Sequence, residues 1–217
     1  MNTERGRPRP HWPPDVHVRG VSVPNKIPAH HGWHERGYLP HCDVPHVIQS
    51  ITYRLADSLP KEALARMEAE VQSGSLEEEC SLILRRRIDA WLDGGHGACL
   101  LRQPDVARMI IDNWRHFDPE RYRLEAFVVM PNHVHVLIAM KPEVSLSDIV
   151  RSWKTYSAKQ IARITGWEGT VWQADYWDRY MRDAEHYHRA VAYIHANPVK
   201  AGLAKVETEW AWSSVAR

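Results

Sequence analysis

Cysteine is scarce in this chain: Cys42, Cys80 and Cys99 are the only three in 217 residues. They fit no paired metal-ligand spacing and leave one thiol over, which argues against a disulfide framework and for a reducing compartment. Excess charge is missing too. The formal net charge is +1, so no global field draws the chain towards nucleic acid, and any such binding must come from a local patch. No apolar run reaches membrane-spanning length, and the amino terminus, Met1-Asn-Thr-Glu-Arg-Gly-Arg-Pro-Arg-Pro10, lacks the apolar core of a signal peptide. These absences predict a soluble, cytoplasmic protein with no membrane partner. What is present, 44% hydrophobic and 25% charged residues, suffices for one sizeable globular core.

Residues 1–36 are rich in Pro, His, Gly and Arg without sustained periodicity, and read as a flexible arm ahead of a domain over residues 37–217. The arm's His11, His17, His30, His31 and His34 read as solvated rather than as metal ligands. Val47-Ile-Gln-Ser-Ile-Thr-Tyr-Arg-Leu55 carries β-branched and aromatic residues suited to a strand, with a turn near Ser58-Leu-Pro60. Residues 61–71 read as helix, interrupted at Ser73-Gly-Ser75. A second helix runs from about Leu76 to Leu92, where Asp93-Gly-Gly-His-Gly97 stops it. After a short apolar segment, Ala98 to Leu101, a further helix opens near Pro104 and reaches Trp114. Tyr122 to Met130 and His133 to Ala139 read as strands joined through Pro131-Asn132, a connection so short that they form an antiparallel hairpin. Helical patterns follow at 145–164 and 183–196. The interleaving predicts an α+β sandwich with helices covering a sheet face.

In Met130-Pro-Asn-His-Val-His-Val-Leu137, two histidines stand two residues apart on a strand. Their side chains then share one face, because successive residues alternate. Two imidazoles side by side form half of a metal site. On the helix at 145–164, Ile149, Val150, Trp153, Ile161 and Ile164 cluster on one side of the wheel, with Arg151, Lys154, Lys159 and Arg163 on the other. A solvated face and a phosphate-tracking patch are equally good readings of those charges. On the helix from Ala184, Tyr187, Ala190, Val191 and Ile194 form the apolar stripe. Tyr193 lies off it, in line with His186 and Asn197. Tyr187 therefore reads as a core residue and Tyr193 as a presented one. A phenol with an ordinary pKa of about 10 is a poor nucleophile unless a metal or base assists it.

The His133-Val-His135 pair, Trp172-Gln-Ala-Asp-Tyr-Trp-Asp-Arg-Tyr-Met-Arg-Asp183, Tyr193-Ile-His-Ala-Asn-Pro-Val-Lys-Ala-Gly-Leu203 and Trp212-Ser-Ser214 occur in an order that resembles the REP-associated tyrosine transposases. These belong to the wider single-tyrosine transposases of the His-hydrophobic-His endonuclease (HUH) class. The resemblance runs from about Arg36 to Ser214 and includes Tyr53-Arg-Leu-Ala-Asp-Ser-Leu-Pro60. It implies a ferredoxin-like antiparallel sheet flanked by helices, with the histidine pair on a central strand and the catalytic tyrosine on a later helix. It also implies attack by that tyrosine on a phosphodiester of single-stranded DNA, leaving a 5′-phosphotyrosyl enzyme and a free 3′-hydroxyl. Carried over by position, His133 and His135 are metal ligands and Tyr193 is the nucleophile. A third ligand one helical turn beyond the tyrosine falls on Asn197, whose amide oxygen suits a hard cation.

The implied cofactor is Mg2+ or Mn2+, imidazole favouring the softer ion. The implied partners are single-stranded DNA hairpins, imperfect REP-like palindromes, met by a monomer or a homodimer. Arg151, Lys154 and Lys159 are candidates for phosphate contacts; Trp172, Gln173, Arg179 and Arg182 are candidates near the cut strand. Trp172 and Trp177 read better as core anchors, and Asp178 with Arg179 or Arg182 as ion pairs. Two alternatives stand beside the transposase. One is a domesticated hairpin-binding protein that no longer transposes. The other is a metal-dependent hydrolase in which Asp175 or Asp178 activates water. Tyr156 and Tyr180 compete with Tyr193 for the nucleophile's role. The segment at 61–97 is either a helical insertion shaping the hairpin surface or a cover for the sheet.

Overall fold

The computed structural model describes residues 47–72 and 77–216, together with the backbone of four short strands nearer the amino terminus. Those strands form two antiparallel pairs, β1 (His17–Val18) with β2 (Val21–Ser22), and β3 (Trp33–Arg36) with β4 (Leu39–Cys42). The expectations for the histidines of residues 1–36 concern side chains outside the described residues. From there the order is β5 (Ile48–Arg54), α1 (Lys61–Gln72), α2 (Glu77–Asp93), α3 (Pro104–Arg115), β6 (Tyr122–Val129), β7 (His133–Met140), α4 (Leu146–Thr165), β8 (Trp177–Tyr180) and α5 (Ala184–Lys200).

The strands β6-β7-β5-β8 form one four-stranded sheet, antiparallel throughout. The chain leaves β5, crosses β7 by way of α1, α2 and α3, and returns as β6; after the hairpin to β7, α4 carries it across β5 to β8. That is the split βαβ arrangement of a ferredoxin-like α+β fold. The hairpin predicted through Pro131-Asn132 is present.

Alternation along β7 sorts the core into two layers. Val134, Val136, Ile138 and Met140 face α3 and α4, meeting Val106, Ile110, Trp114, Ile149, Val150 and Trp153. Leu137 and Ala139 face the other way, where Ile48, Ala126 and Val128 pack with Met181, Tyr187 and Ile194 at α5. With helices on both sides, all eight β7 residues are buried, so the unbroken apolar run from Val136 to Met140 has a physical cause. The polar tips of the large aromatics are paired inside the α3/α4 layer. Trp114 Nε1 donates to the Tyr53 hydroxyl at 3.0 Å, Trp153 Nε1 to the Tyr122 hydroxyl at 2.8 Å, and Trp172 Nε1 to Ser157 Oγ at 2.9 Å. Burial pushes the Tyr53 and Tyr122 phenols well above the ordinary tyrosine range.

Trp212-Ser-Ser214 covers the end of the β6 edge at residues 127–129. Val129 N–H donates to the Trp212 carbonyl and Ser214 N–H to the Phe127 carbonyl, both at 2.9 Å, while Phe127 N–H donates to Ser214 Oγ at 3.0 Å. That end of the edge is thereby closed to pairing with another strand.

Four details depart from the sequence pattern. Trp177–Tyr180 is an edge strand, which the short mixed run Trp-Asp-Arg-Tyr did not announce. Leu100–Arg102 is a 3-10 turn leading into α3, a conformation that the short apolar segment left unassigned. The last helix runs through Pro198 to Lys200; the proline lies in the last turn, where its missing N–H removes one helical bond near the end. Ile164 is 37% exposed, because it lies in the final turn of α4 beyond Ile161, the last buried position.

Candidate active site

Two α5-side residues of β7, His133 and His135, are 1% and 2% exposed, and their ring centroids are 4.9 Å apart. Each ring is oriented by its Nδ1 atom. His133 Nδ1 is 2.8 Å from Asn132 Oδ1. The other end of that amide, Asn132 Nδ2, donates to the His96 carbonyl at 2.9 Å. A carbonyl accepts only, so the amide nitrogen must face His96 and the amide oxygen must face the imidazole. His133 therefore carries its proton on Nδ1 and presents the lone pair of Nε2. Burial holds its pKa down to about 3, which keeps it neutral, the state a metal needs. His135 Nδ1 lies 2.7 Å from Thr52 Oγ1, across the β5–β7 ladder where Thr52 pairs with His135. In each ring Nδ1 is held by an oxygen, the outer-shell arrangement that metal-binding histidines use.

Helix α5 brings Tyr193 against the same face. Asp183 caps its start, its Oδ1 accepting from His186 N–H at 2.6 Å, and the Tyr187 and Ile194 stripe seats the helix on the sheet. Tyr187 is buried and its hydroxyl donates to Glu125 Oε2 at 3.0 Å. Tyr193 is half-buried, its ring centroid 5.4 Å from that of His135. The division between a core tyrosine and a presented one therefore holds in three dimensions. Asn197, one turn on, is 1% exposed. Its Nδ2 donates to the Tyr193 carbonyl at 2.7 Å, which fixes Oδ1 as the atom turned away. That oxygen is buried with no hydrogen-bond partner. Such an orphan is costly in a protein interior unless a ligand uses it, and an amide oxygen is a donor type that suits a hard divalent cation. Among the described residues no three His, Cys, Asp or Glu side chains converge; an amide such as that of Asn197 is outside that set.

His186, aligned with Tyr193 in the sequence, is buried, and its Nδ1 accepts from Arg182 N–H at 3.3 Å. Burial, and then the charges of Arg179 and Arg182, push its pKa down to about 4. It is a neutral support of the turn into α5.

The basic candidates divide between the two sides of the sheet. Arg179 is exposed and paired in register with Ser50, two residues from Thr52, so it shares the histidine face; Arg182 is exposed just ahead of α5. Arg151, Lys154 and Lys159 belong to α4, which packs on the opposite face. Arg151 pairs with Asp148 at 2.5 Å. Lys154 is not on a solvated side as the wheel suggested. It donates to the Ala174 and Asp175 carbonyls at 3.0 Å and lies near the rings of Tyr53 and Tyr176. Burial pulls its pKa down to about 8. Trp172 is 6% exposed and belongs to the α3/α4 core; Gln173 is half-buried, its N–H on the Arg54 carbonyl.

Four participants escaped the sequence reading. Asn132 stood inside the quoted motif but was taken only as a connector. Thr52 was read as a generic strand residue. The His96 carbonyl belongs to a turn that seemed only to end α2. Asp89 of α2 accepts from the Tyr193 hydroxyl through Oδ2 at 3.1 Å, and no local pattern marks it. The segment at 61–97 thus supplies atoms to the site itself, beyond either shaping or cover.

Residues 108–197 match the family model described as Transposase IS200 like. The chain is 31% identical over 96 residues to the REP-associated tyrosine transposase of Escherichia coli (strain K12), an alignment covering 44% of this chain and 56% of that protein. A Haemophilus influenzae relative named for the same class is 30% identical, over 45% of this chain and 62% of its own length. This chain therefore spans about three-fifths of the curated relatives it matches. Among solved structures, a REP-associated tyrosine transposase bound to a REP hairpin aligns with a TM-score of 0.48 and 20% identity, over 83% of this chain and 81% of that one. The matched segment holds His133, His135, Tyr193 and Asn197, and through it this chain is similar to the IS200-like transposases.

Proposed function

We propose that this chain is a metal-dependent single-tyrosine transposase that cleaves and rejoins single-stranded DNA at palindromic hairpins through a 5′-phosphotyrosine intermediate. The observation that carries the reading is the approach of the Tyr193 ring to within 5.4 Å of His135, itself 4.9 Å from His133. A phenol and a pair of buried imidazoles meet there on rigid elements. His133, His135 and the unpartnered Asn197 Oδ1 would hold Mg2+ or Mn2+. When bound, such an ion supplies Lewis-acid polarisation of a non-bridging phosphate oxygen.

The chain's own residues do the rest. Tyr193 attacks phosphorus, the bond to the 3′-oxygen breaks, and the 3′-hydroxyl departs while the 5′-phosphate stays on the tyrosine. The phosphotyrosyl bond keeps the phosphodiester's energy for rejoining, so no nucleotide cofactor is required. Arg179 and Arg182, on the Tyr193 side, take phosphates of the cut strand. Arg151 and Lys159, exposed on α4 across the sheet, take phosphates farther along the hairpin, and Lys154 fastens the segment at 174–175.

The water-activating alternative finds no support in Asp175 or Asp178. Asp178 pairs in register with Ile51, whose side chain faces α3 and α4, and Asp175 sits beside Lys154. No particular observation favours a binding-only protein over the enzyme.

The test uses one hairpin oligonucleotide with single-stranded flanks, labelled at either end, incubated with the protein and Mn2+ and resolved on a denaturing gel. The 3′-side label should migrate with the protein and the 5′-side label should leave as a free fragment ending in a 3′-hydroxyl. Cleavage that releases both labels from the protein would refute the covalent reading, since water attack leaves no adduct.

A further inference from the structure

We propose that Asp89 of α2 is the proton acceptor for Tyr193, so that the helical pair α1–α2 supplies a catalytic group to the transesterification; this rests on the tyrosine-nucleophile reading above. The Tyr193 hydroxyl already donates to Asp89 Oδ2 at 3.1 Å, within the reach required of a general base. That carboxylate is half-buried. It lies on the side of α2 that meets α5, while Ile88 and Leu92 of the same helix pack with Leu59 and Ala63.

The helix that carries Asp89 and the turn after it are fixed at three further points. Trp91 Nε1 donates to the Ser58 carbonyl at 3.0 Å, Ala98 N–H donates to Asp57 Oδ2 at 2.6 Å, and the His96 carbonyl holds the amide that orients His133. One stretch of chain, residues 89–96, therefore touches both the nucleophile and the amide that orients a candidate ligand. Its residues precede the segment that matches the family model, which begins at 108, so this support belongs to a part of the chain that the match leaves out.

The electrostatic surroundings suit a proton transfer. Lys200 Nζ lies 4.4 Å from the centroid of the Tyr193 ring, where a cation offsets charge developing on the phenol oxygen. Asp93, one turn beyond Asp89, has its pKa raised to about 6, first by burial and then by the negative charge of Asp89, with Lys200 acting against both.

At neutral pH only about one phenol in a thousand is ionised at an ordinary pKa of about 10. As the bond from Tyr193 Oη to phosphorus forms, the phenol proton becomes far more acidic and passes to the Asp89 carboxylate. The 3′-oxygen leaves with its electron pair and is protonated by solvent. In the reverse step an incoming 3′-hydroxyl loses its proton to solvent and attacks phosphorus, and Asp89 returns the stored proton to the departing phenol oxygen. Atoms and charge balance, and no oxidant or second reactant is needed.

The test is Asp89→Asn, which keeps shape and removes the base, made with tyrosine and then with trifluorotyrosine at position 193. A more acidic phenol needs its base less. With tyrosine, Asp89→Asn should slow adduct formation about 10²- to 10³-fold and leave the hairpin Kd within about threefold. With trifluorotyrosine, the same variant should regain about tenfold or more, while protein with Asp89 gains little. An unchanged adduct rate in Asp89→Asn would overturn the proposal, and so would a slow variant that the acidic phenol fails to rescue, because that marks a purely structural role. Absence of any adduct from the wild-type protein would instead refute the transposase reading beneath it.

Discussion

Tyr193→Phe is expected to abolish the covalent protein–DNA adduct, a fall of at least about 10³-fold, the range typical of losing a chemically essential group, while hairpin affinity stays within about twofold. The substitution removes one oxygen. The ring keeps its place against His135 and under Lys200, and the hydrogen bond lost to Asp89 is part-buried, about 1 kcal/mol of stability. Neither competing tyrosine can substitute. Tyr156 is 49% exposed on α4, across the sheet. Tyr180 pairs in register with Gln49, and its side chain packs with the α3/α4 layer. Adduct on a denaturing gel and affinity by fluorescence anisotropy read the two effects separately. Persistence of adduct in Tyr193→Phe would move the chemistry to another residue.

The second large effect concerns the histidine pair. His133→Ala should weaken Mn2+ binding by more than about 10²-fold, and Asn132→Ala, one shell out, by about 10- to 100-fold. The order matters more than either value. Asn132 touches no metal in this account; it fixes the proton on His133 Nδ1 through an amide whose other end is fixed by the His96 carbonyl. Adduct formation should fall in the same order and recover partly in Asn132→Ala at high Mn2+. Isothermal titration of the folded variants checks it. Equal Mn2+ affinity in wild type and His133→Ala would remove the histidine pair from the metal site.

How far the sequence carried these conclusions depended on the range of the interaction. The strand of His133 and His135 was legible because period-two alternation is local, and the hairpin followed because a two-residue link admits little else. The separation of Tyr187 from Tyr193 was legible for the same reason, one helix wheel sufficing. Thr52 and Asp89 were not legible, since each reaches the site through tertiary pairing, 83 residues from His135 and 104 from Tyr193. The wheel also misplaced Lys154. A helix face that is polar in isolation meets the loop at 174–175, whose carbonyls accept the ammonium. It could not say on which side of the sheet α4 would pack, and therefore could not show that Arg151 and Lys159 are separated from Tyr193 by the sheet itself. The strand at 177–180 was hidden because four residues are too few for a period to declare itself.

The central claim, that Tyr193 becomes covalently joined to the DNA it cuts, is tested most directly by mass spectrometry of the trypsin- and nuclease-digested adduct. Cleavage after Arg189 and Lys200 gives the peptide Ala190–Lys200, in which Tyr193 is the only tyrosine. The account predicts a nucleotide remnant on that peptide, attached through a 5′-phosphate at Tyr193. A remnant on Asp183–Arg189, which holds Tyr187, or on any peptide outside Ala190–Lys200, would contradict it.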